Sequence, residues 1–254
     1  RVGSASSSLN SLASLHGKVW FSAFETATGF EPYASDGTPA GTLRFADINP
    51  GTGSSSATDF ARVGNQVIFA ASSIAAGNEV WVSDGTTLGT TSIDVNAGAG
   101  SSSPGPFLPV GNLTYFAATT PGTGRELWVT DGTPAGTQLV ADVRSGAQSS
   151  SPVQFVALAN GTILFVANDV VAGLELFRSD GTPAGTAMIG QIVAGGGSGS
   201  IQDLVAVGNL AYFTADDTVT GRELWKTDGF TLTQVMDIYP GAPNGVLAGT
   251  LRAK

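Results

Sequence analysis

The sequence predicts an all-β fold, a five-bladed β-propeller built from five four-stranded repeats of about 48 residues. One motif, Glu-x-aromatic-x-Ser/Thr-Asp-Gly, occurs five times in the 254-residue chain. Short runs of β-branched and aromatic residues recur at the same interval, and no segment shows helical periodicity. The motif copies occupy 31–37, 79–85, 126–132, 175–181 and 223–229.

Each repeat begins with a serine-rich segment and a first short strand. The segments are Ser6-Ser7-Ser8, Ser54-Ser55-Ser56, Ser101-Ser102-Ser103, Ser149-Ser150-Ser151 and the looser Ser198-Gly199-Ser200. A glycine- or asparagine-containing turn follows the first strand, such as His16-Gly17 or Gly64-Asn65, and such turns favour tight hairpins.

The second segment of each repeat has the clearest strand pattern, as in Val67-Ile68-Phe69 or Ile163-Leu164-Phe165. These runs are apolar on both faces, so we expect both faces to be covered. The third strand carries the motif and runs into a turn, Asp-Gly-Thr-x-x-Gly-Thr in four copies, and a fourth strand ends the repeat.

The repeats predict one β-propeller domain over 1–254, with units at about 4–51, 54–98, 101–146, 149–195 and 198–241. The tail 242–254 either adds a closing strand beside the first unit or lies over the surface. A β-solenoid is the alternative architecture, but its rungs would be parallel and shorter.

Composition excludes several functions. The net charge of -9 leaves no basic surface for nucleic acid or anionic lipid. The absence of cysteine removes disulfides, thiolate metal sites and thiol nucleophiles. No apolar run is long enough to span a bilayer. No signal peptide is visible, so export would require removal of a segment before Arg1.

The motif Glu126-Leu127-Trp128-Val129-Thr130-Asp131-Gly132-Thr133 and its copies resemble the bacterial ELWxxDGT repeat family. The resemblance covers nearly the whole chain. It implies a secreted or cell-surface, propeller-like protein, extracytoplasmic in location, and it implies no reaction. The chain departs from the pattern at Tyr33, Phe177 and Gln191, and the fifth copy lacks the second Gly-Thr.

The motif glutamates and aromatic residues are predicted to build the repeat. A carboxylate present in every copy is expected to accept backbone N–H bonds, whereas the alternative is one sugar or cation site per blade. The aromatic rings are expected to pack in the core, with sugar stacking as the alternative. The residues are Glu31, Glu79, Glu126, Glu175 and Glu223, with Tyr33, Trp81, Trp128, Phe177 and Trp225.

The aspartates before the motif glycine are expected to shape turns. They are also weak candidates for Ca²⁺ ligation, since hard cations prefer oxygen, although the spacing matches no standard calcium loop. No other cofactor is predicted. The residues are Asp36, Asp84, Asp131, Asp180 and Asp228.

Catalysis has little support in the sequence, and no catalytic residue is predicted. The single histidine, His16, lies at a turn without a recognisable partner, and no nucleophile elbow or phosphate loop occurs. The repeat-breaking residues Arg125, Arg222 and Asp216-Asp217 form no convincing set.

The sequence therefore predicts a non-catalytic exported propeller that binds other protein subunits of an envelope or surface assembly. A carbohydrate-binding propeller with repeated weak sites is the second hypothesis. An extracytoplasmic enzyme is the third.

Overall fold

The computed structural model describes residues 9–240 and 244–249. Within these ranges it contains twenty β-strands in five four-stranded antiparallel sheets and no helix. The predicted all-β class and the four strands per repeat are confirmed. Antiparallel pairing also excludes the solenoid, because consecutive rungs of a solenoid pair in parallel.

The strands of every sheet are ordered as they are in the chain. The first sheet contains β1 (Leu9–Leu15), β2 (Lys18–Glu25), β3 (Gly29–Ser35) and β4 (Leu43–Arg44). The second contains β5 (Thr58–Val63), β6 (Gln66–Ser73), β7 (Gly77–Ser83) and β8 (Thr91–Ile93). The third contains β9 (Leu108–Val110), β10 (Leu113–Thr120), β11 (Gly124–Thr130) and β12 (Gln138–Ala141). The fourth contains β13 (Val153–Ala157), β14 (Ile163–Asp169), β15 (Gly173–Ser179) and β16 (Ala187–Gly190). The fifth contains β17 (Gln202–Val207), β18 (Leu210–Asp216), β19 (Arg222–Thr227) and β20 (Leu232–Met236).

The chain divides into two compact units. One comprises Arg1–Pro121 with Trp128–Gln138, and the other comprises Gly122–Leu127 with Leu139–Lys254. The first and second sheets belong to the first unit, the fourth and fifth sheets belong to the second unit, and the third sheet contributes strands to both.

The second strand of every sheet contains a run of at least three consecutive buried residues, as its apolar pattern predicted. In β6, five consecutive residues from Val67 to Ala71 are at most 2% exposed. Such a run requires cover on both faces, because successive side chains of a strand point to opposite sides. The continuous apolar pattern therefore marks strands that lie inside the stack of sheets.

In the first unit, the end of the first repeat packs on the second sheet through aromatic rings. Phe45 meets Phe69 edge-on at 6.0 Å between centroids, and Phe69 stacks on Phe60 at 5.0 Å. A second cluster joins Ile93 of β8 to Phe116 of β10. Adjacent sheets in this unit are thus held face to face by large buried side chains.

In the second unit, an equivalent cluster joins the fourth and fifth repeats. Ile192, which follows β16, packs in one buried group with Leu204 of β17 and Phe213 of β18. Leu204 and Phe213 hold the repeat positions of Phe60 and Phe69, so equivalent strand residues make the sheet-to-sheet contact in both units.

The β1–β2 turn has positive φ at both His16 (53°) and Gly17 (71°), as the Gly/Asn turn pattern predicted. Of the tail, residues 242, 243 and 250–254 lie outside the described residues, and 244–249 form no strand. No helix that could cross a membrane occurs in the described part of the chain.

Candidate functional site

All five motif glutamates are fully buried, at 0% exposure. They lie on the third strands of their sheets, where side chains alternate between the two faces. A buried carboxylate is expensive unless donors surround it, so its partners decide whether it is structural or functional. The residues are Glu31, Glu79, Glu126, Glu175 and Glu223.

Glu126 shows the complete arrangement. Its Oε2 accepts the backbone N–H of Val143 at 3.0 Å and the hydroxyl of Ser150 at 2.6 Å. Its Oε1 accepts the backbone N–H of Ser150 at 2.6 Å. One carboxylate therefore binds both the end of its own repeat and the serine segment of the next. We call this set of contacts the glutamate anchor.

Three further repeats have a glutamate anchor. Glu79 accepts the backbone N–H of Val95 at 2.9 Å, and it accepts the backbone N–H and the hydroxyl of Ser102 at 2.6 Å each. Glu31 accepts the backbone N–H groups of Ile48, Asn49 and Ser55 at 2.9, 3.3 and 3.1 Å. Glu223 accepts those of Ile238 and Gly245 at 3.2 and 2.8 Å.

The serine triplets complete the junction between repeats. The first serine accepts the backbone N–H of the residue before the glutamate, as in the 2.8 Å bond from Arg125 to Ser149 Oγ. The third serine has a left-handed backbone, unusual for a residue with a side chain. Its φ lies between 47° and 51° at Ser56, Ser103, Ser151 and Ser200.

This role of the serines was not predicted from the sequence. The usable signal was the constant distance from each glutamate to the middle serine, 23 or 24 residues in the first three pairs. A fixed distance between a buried carboxylate and a hydroxyl suggests a repeated contact.

Burial raises the pKa of Glu31, Glu79 and Glu126 above the ordinary value, and the hydrogen bonds of each anchor oppose the rise. Burial raises the pKa of Glu175 to about 7, with only one opposing bond, from Ile192. The bonds of a complete anchor thus favour the charged form that desolvation disfavours.

The motif aspartates close their own turns. Oδ1 of Asp131 accepts the backbone N–H of Thr133 at 2.8 Å and its hydroxyl at 2.7 Å. The Thr133 hydroxyl oxygen accepts the N–H of Gly136 at 3.0 Å. The same contacts recur at Asp36, Asp84 and Asp180. The Thr133 hydrogen bonds lower the pKa of Asp131.

The second glycine of this turn is required by the aspartate. A Cβ on Gly136 would lie 2.1 Å from Oδ1 of Asp131. The fifth repeat lacks this glycine, and there Asp228 instead accepts the N–H groups of Phe230 and Thr231, both at 2.9 Å. The turn therefore keeps its carboxylate acceptor while its second half changes.

No group of three or more His, Asp or Glu residues that could hold a metal occurs within 9–240 and 244–249. Each motif aspartate stands in its own turn. Calcium binding therefore stays a hypothesis, and one turn would have to supply mainly carbonyl oxygens.

The motif aromatic residues are buried or half-buried. Tyr33 and Phe177 are 8% and 4% exposed and stack on Phe21 and Phe165, respectively. Trp81 donates its Nε1–H to the carbonyl of Ala71 at 3.1 Å. Trp128 and Trp225 are half-buried. Tyr33 and Phe177 thus pack within their sheets, and the three tryptophans pack against the buried clusters with part of each ring exposed.

The structure places His16 beside a small cavity of about 110 Å³, together with Lys18 and Asp84 of the next repeat. The hydroxyl oxygen of Ser83, which also lines it, accepts the Gly85 N–H at 2.9 Å as part of the turn. Ligand pockets for drug-sized molecules are usually about 300–1,000 Å³. The grouping of His16, Lys18 and Asp84 was not predicted from the sequence, because these residues come from two repeats.

The residues that break the repeat have local roles. The Arg222 guanidinium donates to the Ser200 carbonyl at 2.8 Å and to the Thr214 hydroxyl at 3.2 Å. Asp216 and Asp217 accept backbone N–H groups of the following turn at 2.8–2.9 Å. Burial lowers the pKa of Arg125. The side chains of Arg222, Asp216 and Asp217 therefore hold nearby backbone groups in place.

No known family model matches the chain, and no curated protein is detectably similar in sequence. Solved structures do match. The computationally designed protein Ika8 has a TM-score of 0.52 at 18% identity, covering 89% of this chain and 60% of its own. A Mycobacterium tuberculosis puromycin-hydrolyzing peptidase has a TM-score of 0.55 at 12% identity, and the match covers 92% of this chain and 39% of the peptidase. A puromycin hydrolase S511A mutant has a TM-score of 0.52 at 14% identity, and the match covers 90% of this chain and 38% of the hydrolase.

The chain therefore spans 60% of the length of Ika8 and 38% and 39% of the lengths of the two other structures. At such identities the likeness concerns the fold alone. The neighbours are propeller-like, and the five four-stranded sheets of this chain form a β-propeller fold.

Proposed function

We propose that this protein is a non-catalytic, exported propeller that binds other protein subunits of a cell-envelope or surface assembly. One observation carries the proposal: aliphatic side chains are exposed at the hairpins between the second and third strands. Ile74 is 84% exposed, Val170 and Val171 are 68% and 77%, and Val219 is 75%.

Exposed aliphatic groups at such tips favour protein contact, because their removal from water is the main source of binding free energy. The hairpins are also free to vary, since the anchors and buried strands carry the fold. The equivalent hairpin of the third repeat carries Pro121-Gly122. The repeats thus share a scaffold and differ at their tips.

The non-catalytic part of the proposal has a separate basis. The motif carboxylates, which recur often enough to suggest chemistry, accept hydrogen bonds within the fold. His16 lies beside a cavity whose Ser83 hydroxyl already serves the turn. A general acid or base needs a substrate within hydrogen-bond reach, whereas the motif glutamates are buried and accept backbone N–H groups.

The test is capture of partners from the native envelope fraction. The wild-type protein is compared with a Val170→Asp, Val171→Asp double variant and with Val207→Asp. Val207 is 60% exposed at the hairpin between β17 and β18 and serves as the matched control. We expect the double variant to lose a specific partner and the control to keep it. Equal capture by all three proteins would contradict the proposal.

Carbohydrate binding is the second candidate, because two aromatic rings are exposed. Phe230 is 60% exposed with the Arg178 guanidinium 4.5 Å from its centroid, and Tyr239 is 58% exposed. A glycan array with wild type and Phe230→Ala tests it. Binding that disappears in the variant would support this candidate, and absence of binding to every glycan would leave the protein-interaction proposal in place.

A further inference from the structure

Among the five motif glutamates, Glu175 alone has a carboxyl oxygen without a hydrogen-bond partner. It is 0% exposed, and its Oε2 accepts a single bond, from the backbone N–H of Ile192 at 3.2 Å. Its Oε1 is buried without a hydrogen-bond partner. By contrast, Glu126 accepts three bonds in the third repeat. The fourth repeat therefore buries a carboxyl group that the junction leaves half satisfied.

The middle position of the serine triplet is Gly199 in this repeat, and its N–H does not replace the missing hydroxyl as the Gly245 N–H does at Glu223. Glycine has no hydroxyl to donate. Its Cα also lies close to Ile192, since a Cβ on Gly199 would sit 2.5 Å from the Ile192 Cβ. The close approach that packs Ile192 thus removes the donor that Ser102 and Ser150 supply elsewhere.

The backbone next to Glu175 is also unusually free to change. Three consecutive glycines, Gly195-Gly196-Gly197, follow Val193, and the first two have φ of 93° and 100°. A single isolated bridge between Val193 and Gly197 pairs the segment with itself. Glycine has little conformational restriction, so the backbone of 195–197 can adopt other arrangements.

No cation on the neighbouring strands compensates Glu175. On β14 the nearest charged group is Asp169, which raises the pKa of Glu175 further. On β15 itself, Arg178 lies over the Phe230 ring. Neither β16 nor 191–201 contains an ionisable residue.

The charged groups of the fifth repeat near this segment are occupied. Arg222 donates to the carbonyl of Ser200 and to Thr214. Asp216 donates its backbone N–H to the Gly199 carbonyl at 2.8 Å, and its carboxylate accepts from Thr218. Asp203 accepts the N–H of Gly249. Protonation is thus the simplest way to neutralise the buried group.

We propose that Glu175 is a proton-operated conformational switch: when neutral it stays buried with 193–200 packed against it, and when ionised it drives that segment open. Opening brings water or another N–H group to the carboxylate. The switch is built into the fourth repeat, because among the described motif glutamates Glu175 alone has a buried oxygen without a hydrogen-bond partner.

The pH dependence of opening follows from the difference between the pKa of Glu175 in the packed form and in the open form. Burial raises the pKa of the folded Glu175 to about 7 from an ordinary value of 4.5. The packed form therefore holds the proton more tightly than the open form, and opening becomes more favourable as pH rises from 4.5 to about 7. Above that range the buried charge opposes packing fully.

Amide hydrogen exchange, corrected for the intrinsic effect of pH, tests the proposal on the whole chain. In the wild type we expect the opening constant of 192–200 to rise at least about tenfold between about pH 5.5 and 8. In Glu175→Gln, which carries no titratable group there, it should stay constant. Residues 143–150, where Glu126 has a complete anchor, are the internal control. A flat wild-type profile would overturn the proposal, as would the same profile in the variant.

A second measurement uses the wild-type protein alone and needs no variant. Carboxyl carbon shifts in the wild type report the titration of Glu175 directly. A midpoint near 7 that coincides with the change in exchange supports the switch. A midpoint near the ordinary value of 4.5 would refute it.

Discussion

Ser150 donates both its hydroxyl and its backbone N–H to Glu126, each at 2.6 Å, across 24 residues of sequence. The two donors meet different oxygens of one buried carboxylate. Because hydrogen bonds to a charged acceptor are the stronger kind, this pair is a main contributor to the junction between the third and fourth repeats.

We expect Glu126→Gln to destabilise the protein. The amide nitrogen would face an N–H or O–H donor, so at least one charged hydrogen bond is lost, at about 1.5–3 kcal/mol, and release of the buried charge offsets part of this. Glu31→Gln should behave alike. Urea unfolding measures the change, and neutral or stabilising results at both positions would contradict a structural role for the glutamates.

The hydroxyl of Ser150 can be tested separately. Ser150→Ala removes one donor to Glu126 and should cost about 1–2 kcal/mol. Ser145→Ala, at an exposed position, is the control and should be neutral. In a double-mutant cycle the two changes at 126 and 150 should be non-additive, whereas additive effects would show that the contact carries no coupling energy.

Gly136→Ala should disrupt the third aspartate turn. The new Cβ would clash with Oδ1 of Asp131, so the turn must give up its Asx bonds or shift its backbone. We expect a loss of about 1–3 kcal/mol in unfolding free energy. Gly122→Ala, where nothing lies within 4 Å of the added Cβ, is the matched control. Equal stability of the two variants would argue against the turn mechanism.

Acid should weaken the aspartate turns. Hydrogen bonds to the turn lower the pKa of Asp36, Asp84, Asp131, Asp180 and Asp228 below the ordinary 3.8. The stabilisation is therefore complete above pH 3.8, and it is lost as the pH falls through the lower pKa that these carboxyl groups have in the folded protein. Carboxyl titration by NMR measures each midpoint. Midpoints at or above 3.8 would contradict this assignment.

Calcium removal should leave thermal stability unchanged. Oδ1 of each motif aspartate already accepts bonds within its own turn, so the turns hold their shape without a cation. Thermal melts with EDTA and with added Ca²⁺ make the comparison. A melting temperature that falls by several degrees in EDTA would show that the native state binds the metal.

The sequence was sufficient for the repeat, the strand order and the burial of strands such as β6, because each depends on local pattern and period. It also indicated that the glutamates accept backbone bonds. It did not indicate that the partner of Glu126 is Ser150, since that contact depends on how one sheet meets the next segment. The sequence also did not indicate that Glu175 lacks a hydrogen-bond partner, because one more glycine, Gly199, gives no signal in a glycine-rich chain.

The glutamate anchor has a consequence for synthesis on the ribosome. Glu126 and Glu79 find their second set of donors only in residues 23 or 24 positions later, in the following repeat. A newly made sheet therefore holds a carboxylate whose Oε1 has no donor until the next serine triplet leaves the exit tunnel. Each repeat then stabilises the one before it, so native structure should accumulate from the N-terminus one sheet behind translation.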